Sequence, residues 1–579
     1  MNRIDKYTID LIFDKENKIE LLKEEYPKVI KKLKKNKISF IELLDTNQVN
    51  RSFFECEEFT KANNAEIVHY NNWRSEFFII KKKWEVEGID YIFHKSVGKF
   101  PYLSDNLDIL VKQKDFKRAG EILVEIGYVD LRNIQEAHKE FYRKFDGNRV
   151  VCPIHLHERV CWSVPYEDNK HLWKNYLVSS DDELVHYPCY DDALLINTAH
   201  CFLEDHLIKI YDLLTIKSCM NNIDVNWEYI YKTAEKLNWR QSLHTGFIIF
   251  NHLYFKLFQE EMFPKKVIEN SWNFINKIGW ISKKLKNILI KEVKMPFSIP
   301  HLWTRFHSSK RILKDETFGS KFDRFYIVIT HLFDGFIHNK LQIKPHPPLF
   351  VVFSGIDGCG KSSHINTLLE NHRTCDIKTN VIWSRAGSLP VINKLLKMAR
   401  FFKSNSEKKE IKKQDSRKKK SLPKNPVTIY LWRLLNSWEM ILWYFIKIRI
   451  PLIFGKSIIA DRYIYDSIID MEILSNSAKY NRPIYKLLEL LTPKPDVIFN
   501  LNVNLDNIIS RGVDESRDEL AAKEKHYKKF LSTKDVIEIN NNNDFNSVNS
   551  NLTTISLKKL FDKHPEKYKC YKVVSFRYK

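Results

Sequence analysis

The sequence predicts an α/β protein in two parts, and three observations carry that reading. From residue 349 onward, short apolar runs alternate with helical stretches, the pattern of a mainly parallel sheet with helices on both faces. Before it, strand-like runs between about 90 and 160 give way to a long helical stretch, an α+β module with a helical extension. Between them QIKPHPP (342–348) holds three prolines and marks a boundary. A chain of 579 residues is too long for one core, so about three to four domain-sized units are expected. The breaks fall at 1–190, 191–345 and 346–579.

Composition narrows the partners. The formal net charge of +22 favours polyanions, anionic membrane surfaces or phosphorylated small molecules without choosing among them. The Lys-rich stretch 404–425 reads as a solvated loop or as a patch for nucleic acid or an acidic membrane surface. No aromatics interleave there, which argues against a single-strand stacking platform. The nine cysteines are scattered, as suits a reducing, cytoplasmic protein better than a disulfide framework. MNRIDKYTIDLIFDKENK carries charges inside its apolar run and does not read as a secretory signal. The most apolar stretch, MILWYFIKIRIPLIF (440–454), is cut by Lys447, Arg449 and Pro451 and is too short to be a transmembrane segment.

The elements follow in order. KIELLKEEYPKVIKKLKK spaces its apolar residues by three and four, so residues up to about 85 are expected to be helical. IDYIFH and NLDILV read as strands, KDFKRAGEILVEIGY as the helix after the second, and RVVCPIHLHERV as another strand. From 190 to 320 the pattern is helical, and 324–341 reads as a connecting helix. LFVVFSG, NVIWS, SIIAD, PDVIFNLNV and DVIEIN supply the strands of the last part. NNNNDFNSVNSN (540–551) reads as a polar surface loop.

Within LFVVFSGIDGCGKSSHINTLLE, Gly355, Gly360, Lys361 and Ser362 satisfy G-x-x-x-x-G-K-[ST] between a strand and a helix. Glycines let backbone N–H groups of the loop (Gly355, Asp357, Gly358, Cys359, Gly360, Lys361, Ser362, Ser363) curl around phosphate oxygens. Lys361 adds a cation, the Ser362 hydroxyl can ligate Mg2+, and the following helix presents its positive end to the same anion. A nucleotide such as ATP is the expected occupant.

FSGIDGCGKSS resembles the thymidylate kinase loop, and further matches follow in that family's order: SRAGS (384–388), IIADRYIYDS (458–467), PKPDVIFNLNVNLDNIISRG (493–512) and SRDELAAKEKHY (516–527). The resemblance covers about 350–579 and implies a P-loop kinase fold and phosphoryl transfer from ATP to a nucleoside monophosphate, dTMP-like, with magnesium. It assigns charge neutralisation at the transferred group to Lys361, Arg462, Arg511 and Arg517. It places Arg385 and Arg462 on the acceptor phosphate, Asp357 on the acceptor sugar, Tyr463 in the acceptor pocket wall, and Ser362 with Asp461 on the metal. Three departures weaken the thymine part. Ser354 stands for the family's Glu, RAGSLP for REPGGT, and Arg433 lies two turns early for the base-reading Arg. Another nucleotide or phosphorylated metabolite as acceptor stays open, as does a non-catalytic, nucleotide-responsive binding protein, and so does a homodimer.

Residues 91–128, YIFHKSVGKFPYLSDNLDILVKQKDFKRAGEILVEIGY, resemble the minimal nucleotidyltransferases of the polymerase-beta type, specifically an uncharacterised group with K-G, D-x-D-L-L-V and D-L-H-W motifs. INTAHCF, IYDLLTI and VNWEYIYKTAEKL are similar to that group's helical part, so about 60–260 is covered. Active members hold two magnesium ions on three carboxylates. Here D-x-D reads Asn106-Leu107-Asp108 and the third carboxylate reads His155, so a degenerate module is expected over an active one. A register using Asp105 and Asp108 would point them to opposite faces. Cys152, His155, His157 and Cys161 have zinc-ligand types, but on a strand the two histidines share a face from which Cys152 turns away.

Overall fold

The computed structural model describes residues 3–13, 21–46, 50–131, 138–162, 164–221, 225–300, 309–310, 312–314, 316, 320–329, 348–375, 377–383, 426–475, 482–512, 516–532 and 534–562. Arg385, the segment 384–388, the Lys-rich stretch 404–425, all but the last residue of 342–348 and residues 330–341 of the expected 324–341 helix lie outside them. The described residues fall into two compact units, one up to 329 and one running from 348 to 562 that also takes in 145–150.

The first unit opens with helices α1 (Arg3–Ile12), α2 (Tyr26–Lys35), α3 (Phe40–Thr46), α4 (Arg51–Phe54) and α5 (Glu57–Val86). α2 shows why they form. Pro27 sits in the first turn, where its missing N–H costs nothing, and Lys32, Lys34 and Lys35 face the negative end of the helix dipole. Val29, Ile30 and Leu33 are buried. α5 starts with the Cys56 thiol accepting from the Phe59 N–H.

A five-stranded sheet follows, built from β1 (Tyr91–Phe93), β2 (Leu107–Val111), β3 (Val129–Asp130), β4 (Lys139–Arg143) and β5 (Ile154–His157), with α6 (Phe116–Glu125) after β2. Its order is β1-β2-β5-β4-β3, with β2 and β5 parallel and the other pairs antiparallel. Strand alternation sorts β2 between two cores. Leu107, Ile109 and Val111 pack with Phe77, Ile80 and Trp84 of α5 and with Ile122 and Leu123 of α6. Leu110 joins the core of the helical extension, so Asp108, two residues before it, faces the helices.

That extension comprises α7 (Asn169–Asn175), α8 (Tyr190–Ala199), α9 (Ile210–Asn221), α10 (Trp227–Lys236), α11 (Arg240–Phe258), α12 (Lys265–Asn276) and α13 (Gly279–Leu289). α11 is buried nearly all round, as a central helix must be. α8 runs into a wide π-turn, His200–Asp205, which ends at His206 with φ +54°. Such turns displace a side chain from the regular helical stripe.

The second unit is a five-stranded, all-parallel sheet with helices. Its strands are β6 (Phe350–Ser354), β7 (Thr379–Trp383), β8 (Ser457–Asp461), β9 (Val497–Asn502) and β10 (Ile537–Asn540), in the order β7-β8-β6-β9-β10. β6 is wholly buried, β8 and β9 nearly so, as the middle strands of a parallel sheet must be. The chain passes to one side of β6 for β7 and β8 and to the other for β9 and β10. The carboxyl end of β6 is therefore a topological switch point, where open α/β sheets leave a crevice. The helices are α14 (Lys361–Thr374), α15 (Pro426–Tyr444), α16 (Ile464–Ser475), α17 (Arg482–Leu491), α18 (Leu505–Ser510), α19 (Arg517–Leu531) and α20 (Phe545–Asp562).

The stretch 540–551 is not a surface loop. It holds the end of β10, a turn and the first turns of α20. Asn549, Thr553 and Ser556 recur at helical spacing and are buried against α14. His364 Nδ1 lies 2.8 Å from Asn549 Oδ1, Asn371 Nδ2 donates to Thr553 Oγ1 at 2.8 Å, and His372 Nε2 lies 3.1 Å from Ser556 Oγ. A polar stripe is tolerated inside because Asn549, Thr553 and Ser556 each meet a polar partner on α14. α15 buries Ser437, Met440 and Tyr444 and exposes Leu435, Trp438 and Leu442. Among the described residues no helix is long and apolar enough to cross a membrane.

Candidate functional site

The glycine loop follows β6 at the switch point. Gly355 and Gly360 have φ of +135° and +91°, in the region that disfavours side chains. A Cβ on Gly355 would meet Cys359 Sγ and the Leu501 carbonyl at 3.1 Å, and one on Gly360 would meet Asn541 Nδ2 at 2.9 Å. α14 begins at Lys361, directly after the loop. The Lys361 ammonium donates to the Gly355 and Ile356 carbonyls, both at 2.8 Å, and the side chain is nearly buried. Ser362 Oγ donates to Asp461 Oδ2 at 3.0 Å. Arg511 Nη1 donates to the Gly358 carbonyl at 2.8 Å.

Asp461 ends β8 in register with the end of β6, opposite Phe353, and Arg462 follows it directly. Arg462 takes φ +72°, its N–H donates to the Phe353 carbonyl at 3.0 Å, and its guanidinium pairs with Asp357. Burial alone would lower its pKa, but Asp466, Tyr527 and Asp357 outweigh burial and raise it. Ser354, where a kinase-like loop would carry Glu, donates to Asp466 Oδ1 at 3.0 Å, and Tyr527 OH donates to the same oxygen at 2.8 Å.

Together these residues border a cavity of about 500 Å³. Asp357, Gly358, Gly360, Lys361, Ser362, Ser363, Asp461, Arg462 and Arg511, all singled out in the sequence, line it. His364, Trp383, Asn541, Asn543 and Phe545 line it too and were missed. Asn541 ties the loop down by donating to the Cys359 carbonyl at 2.8 Å. Its signal was hidden in a run that read as low-complexity loop.

Other expectations need correcting. Tyr463 does not wall this cavity. Its ring is fully buried against Phe350 and Tyr444, and its hydroxyl donates to the Pro493 carbonyl at 2.7 Å. Arg517 is exposed and pairs with Asp506 at 3.1 Å, away from the cavity lining. Gly355 and Cys359 support the loop from beneath. The Cys359 thiol is fully buried, and that burial raises its pKa. The hydroxyl of Ser362 and the carboxylate of Asp461 are hard oxygen donors and fit magnesium.

The first unit gathers a second group of charged side chains. Asp108 on β2 stands in register with His155 on β5. Its Oδ1 lies 3.0 Å from His157 Nε2 and 3.5 Å from His155 Nδ1, and its Oδ2 lies 3.2 Å from the Lys95 ammonium. Lys95 is shared with Glu204 at 3.5 Å, and Glu204 also meets Lys139 at 3.6 Å and His200 Nδ1 at 2.7 Å. Burial would raise the pKa of Asp108, yet Lys95 and the two histidines hold it well below the usual carboxylate range. Burial pushes His155 down to about 4 and His94 to about 3, so both rings are neutral near pH 7.

Three sequence expectations resolve here. Asp105 lies before β2, exposed and paired with Lys37 at 3.3 Å, so it shares no site with Asp108. The four zinc-type residues do not gather. Cys152 lies in the core beneath α5 and α6, and the Cys161 carbonyl lies 3.0 Å from His138 Nε2. Asp108 is the one carboxylate on the paired strands β2 and β5, and Lys95 balances both it and Glu204, which does not fit a pair of magnesium ions. Glu204, Lys139 and His94 were missed. The one local hint was His200 and Glu204 four residues apart.

Residues 103–255 match the model of a family described as uncharacterised nucleotidyltransferase. The match spans about a quarter of the chain and includes Asp108, His155, His157 and Glu204. The first unit thus carries a nucleotidyltransferase-like domain, which associates the chain with nucleotide-related transfer. No curated protein matches the chain.

Proposed function

We propose that the second unit is a P-loop kinase that transfers a phosphoryl group from ATP to a nucleoside monophosphate, dTMP-like, and that the nucleotidyltransferase-like module of the first unit no longer performs the two-magnesium reaction. The observation that carries the first part is the Lys361 ammonium held over the glycine loop with the Ser362–Asp461 hydrogen bond beside it, at the carboxyl ends of adjacent parallel strands. Phosphoryl transfer asks for positioned positive charge and little covalent chemistry. Lys361, Arg462 and Arg511 supply that charge around one cavity. Ser362 and Asp461 would hold the magnesium ion, which neutralises phosphate charge when bound. Arg462, already paired with Asp357, is placed to take an acceptor phosphate. Trp383 and Phe545 expose rings at the rim on which a nucleobase can stack.

Burial of Tyr463 removes one expected wall of the acceptor pocket, so the reading rests on phosphoryl transfer more than on thymine. The second part rests on Asp108 and the replacement of its strand partner carboxylate by His155, with Lys95 already neutralising Asp108. The test offers purified full-length chain ATP, magnesium and each nucleoside monophosphate in turn. ADP formation that depends on one monophosphate supports the reading. ADP formation no higher with any acceptor than without contradicts it.

A further inference from the structure

The residues around Asp108 do not suit magnesium, and what they do suit is a nitrogen-seeking ion. We propose that His94, Asp108 and His157 form a binding site for one divalent transition-metal ion, best matched by zinc. One donor atom from each lies within 4.8 Å of the others, and all three side chains are buried. Small adjustments bring such a triad to zinc bonds of about 2.0–2.2 Å. Two neutral imidazoles and one carboxylate are typical ligands of zinc and other late first-row ions, whereas magnesium prefers an all-oxygen shell.

Three further observations support a ligand there. His94 Nδ1 is buried and has no hydrogen-bond partner among the described residues, and His157 turns its Nε2 to Asp108 Oδ1 at 3.0 Å, its Nδ1 lying on the far side of the ring. Buried polar atoms without partners are rare and call for an explanation. The two oxygens of Asp108 are divided: Oδ2 faces Lys95, while Oδ1 faces the imidazoles and is the one offered to a metal. Lys95 has Glu204 as a second acceptor at 3.5 Å, so its ammonium keeps a partner if Asp108 turns to an ion. His155, 3.5 Å from the same Oδ1, is the nearest additional donor.

A second group of zinc-type residues serves as the control. His171, Cys189 and Asp192 also lie together. Asp192, like Asp108, has partners on both oxygens, His171 at 2.9 Å, Cys189 at 3.2 Å and Tyr229 at 2.6 Å, so the contrast between the groups lies in their ring nitrogens. No orphaned atom marks that group.

The test uses tag-free full-length protein, dialysed against zinc and then against metal-free buffer, with metal content measured on folded samples. One zinc per chain is expected, undisplaced by excess magnesium. His94→Ala and His157→Ala should each weaken zinc binding on the order of a hundredfold or more, since even supporting residues behind a ligand are worth about 10–100-fold. His171→Ala should leave it unchanged. Should the alanine variants fail to fold, the wild-type protein loaded with cobalt decides: visible bands without a thiolate charge-transfer band are expected. Absence of bound zinc in folded wild-type protein, full retention by His94→Ala and His157→Ala, or a thiolate band that moves the ion to Cys189 would overturn the proposal.

Discussion

Ser362 Oγ donates a 3.0 Å hydrogen bond to Asp461 Oδ2, tying the first turn of α14 to the carboxyl end of β8. The two residues are far apart in sequence, yet parallel pairing of β6 with β8 puts Phe353 opposite Asp461 and brings the two oxygens together. Asp461→Asn keeps the shape and removes the charge. It is expected to lower phosphoryl-transfer turnover and magnesium affinity by about 10–100-fold. A magnesium titration of activity checks this, and an unchanged midpoint would count against a metal role.

Arg511 and Arg517 should separate. Arg511 reaches the Gly358 carbonyl and lines the cavity, while Arg517 pairs with Asp506 outside it. Arg511→Ala is expected to reduce turnover on the order of a hundredfold, as for loss of a charge-stabilising donor. Arg517→Ala should cost far less, an exposed ion pair being worth little. Steady-state kinetics of the two variants decides, and equal losses would mean both arginines reach the transferred group.

Much of this was legible in the sequence because it is local. Strand, glycine turn and helix from 349 to 370 lie in one continuous segment, and each of the five parallel strands announces itself as an apolar run. What stayed hidden depends on contacts between distant segments. Asn541 reads as one asparagine in a polar run until β10 is placed beside β9 and the loop. Tyr463 follows the Asp-Arg pair and invites a pocket role, but φ +72° at Arg462 turns the chain and sends the ring into the core. Glu204 reaches Lys95 through a π-turn, so its four-residue spacing from His200 shows their pairing but not the distant lysine it serves.

Cys359 lies inside the glycine loop, yet its thiol is absent from the cavity lining, fully buried and with a raised pKa. Thiolate is the reactive form, so a maleimide should leave Cys359 unmodified in native protein and label it after denaturation. Peptide mass spectrometry reads the result. Rapid native labelling would contradict this loop geometry.

Glu167 is buried with neither carboxylate oxygen hydrogen-bonded among the described residues. Burial, with Asp192 and Asp168 nearby, pushes its pKa well above the ordinary value. The folded state therefore holds its proton where the unfolded state has lost it, and stability falls as pH rises above about 4.3. Glu167→Gln removes the titration. It is expected to raise the melting temperature near pH 7 by about 2–4 °C, with the gain fading toward pH 4. Paired thermal melts across that range test the sign, and a variant less stable at pH 7 would contradict it.

On the proposed function, the Lys361 loop hands the terminal phosphoryl group of ATP to an acceptor. The most direct measurement follows label from the γ-phosphate of ATP into a nucleoside monophosphate, for the wild-type chain and for Lys361→Ala. Labelled diphosphate is expected with the wild type, and a loss on the order of a hundredfold or more in the variant, with melting behaviour retained. Wild-type transfer by Lys361→Ala, or no labelled acceptor from any monophosphate with the intact protein, would contradict it.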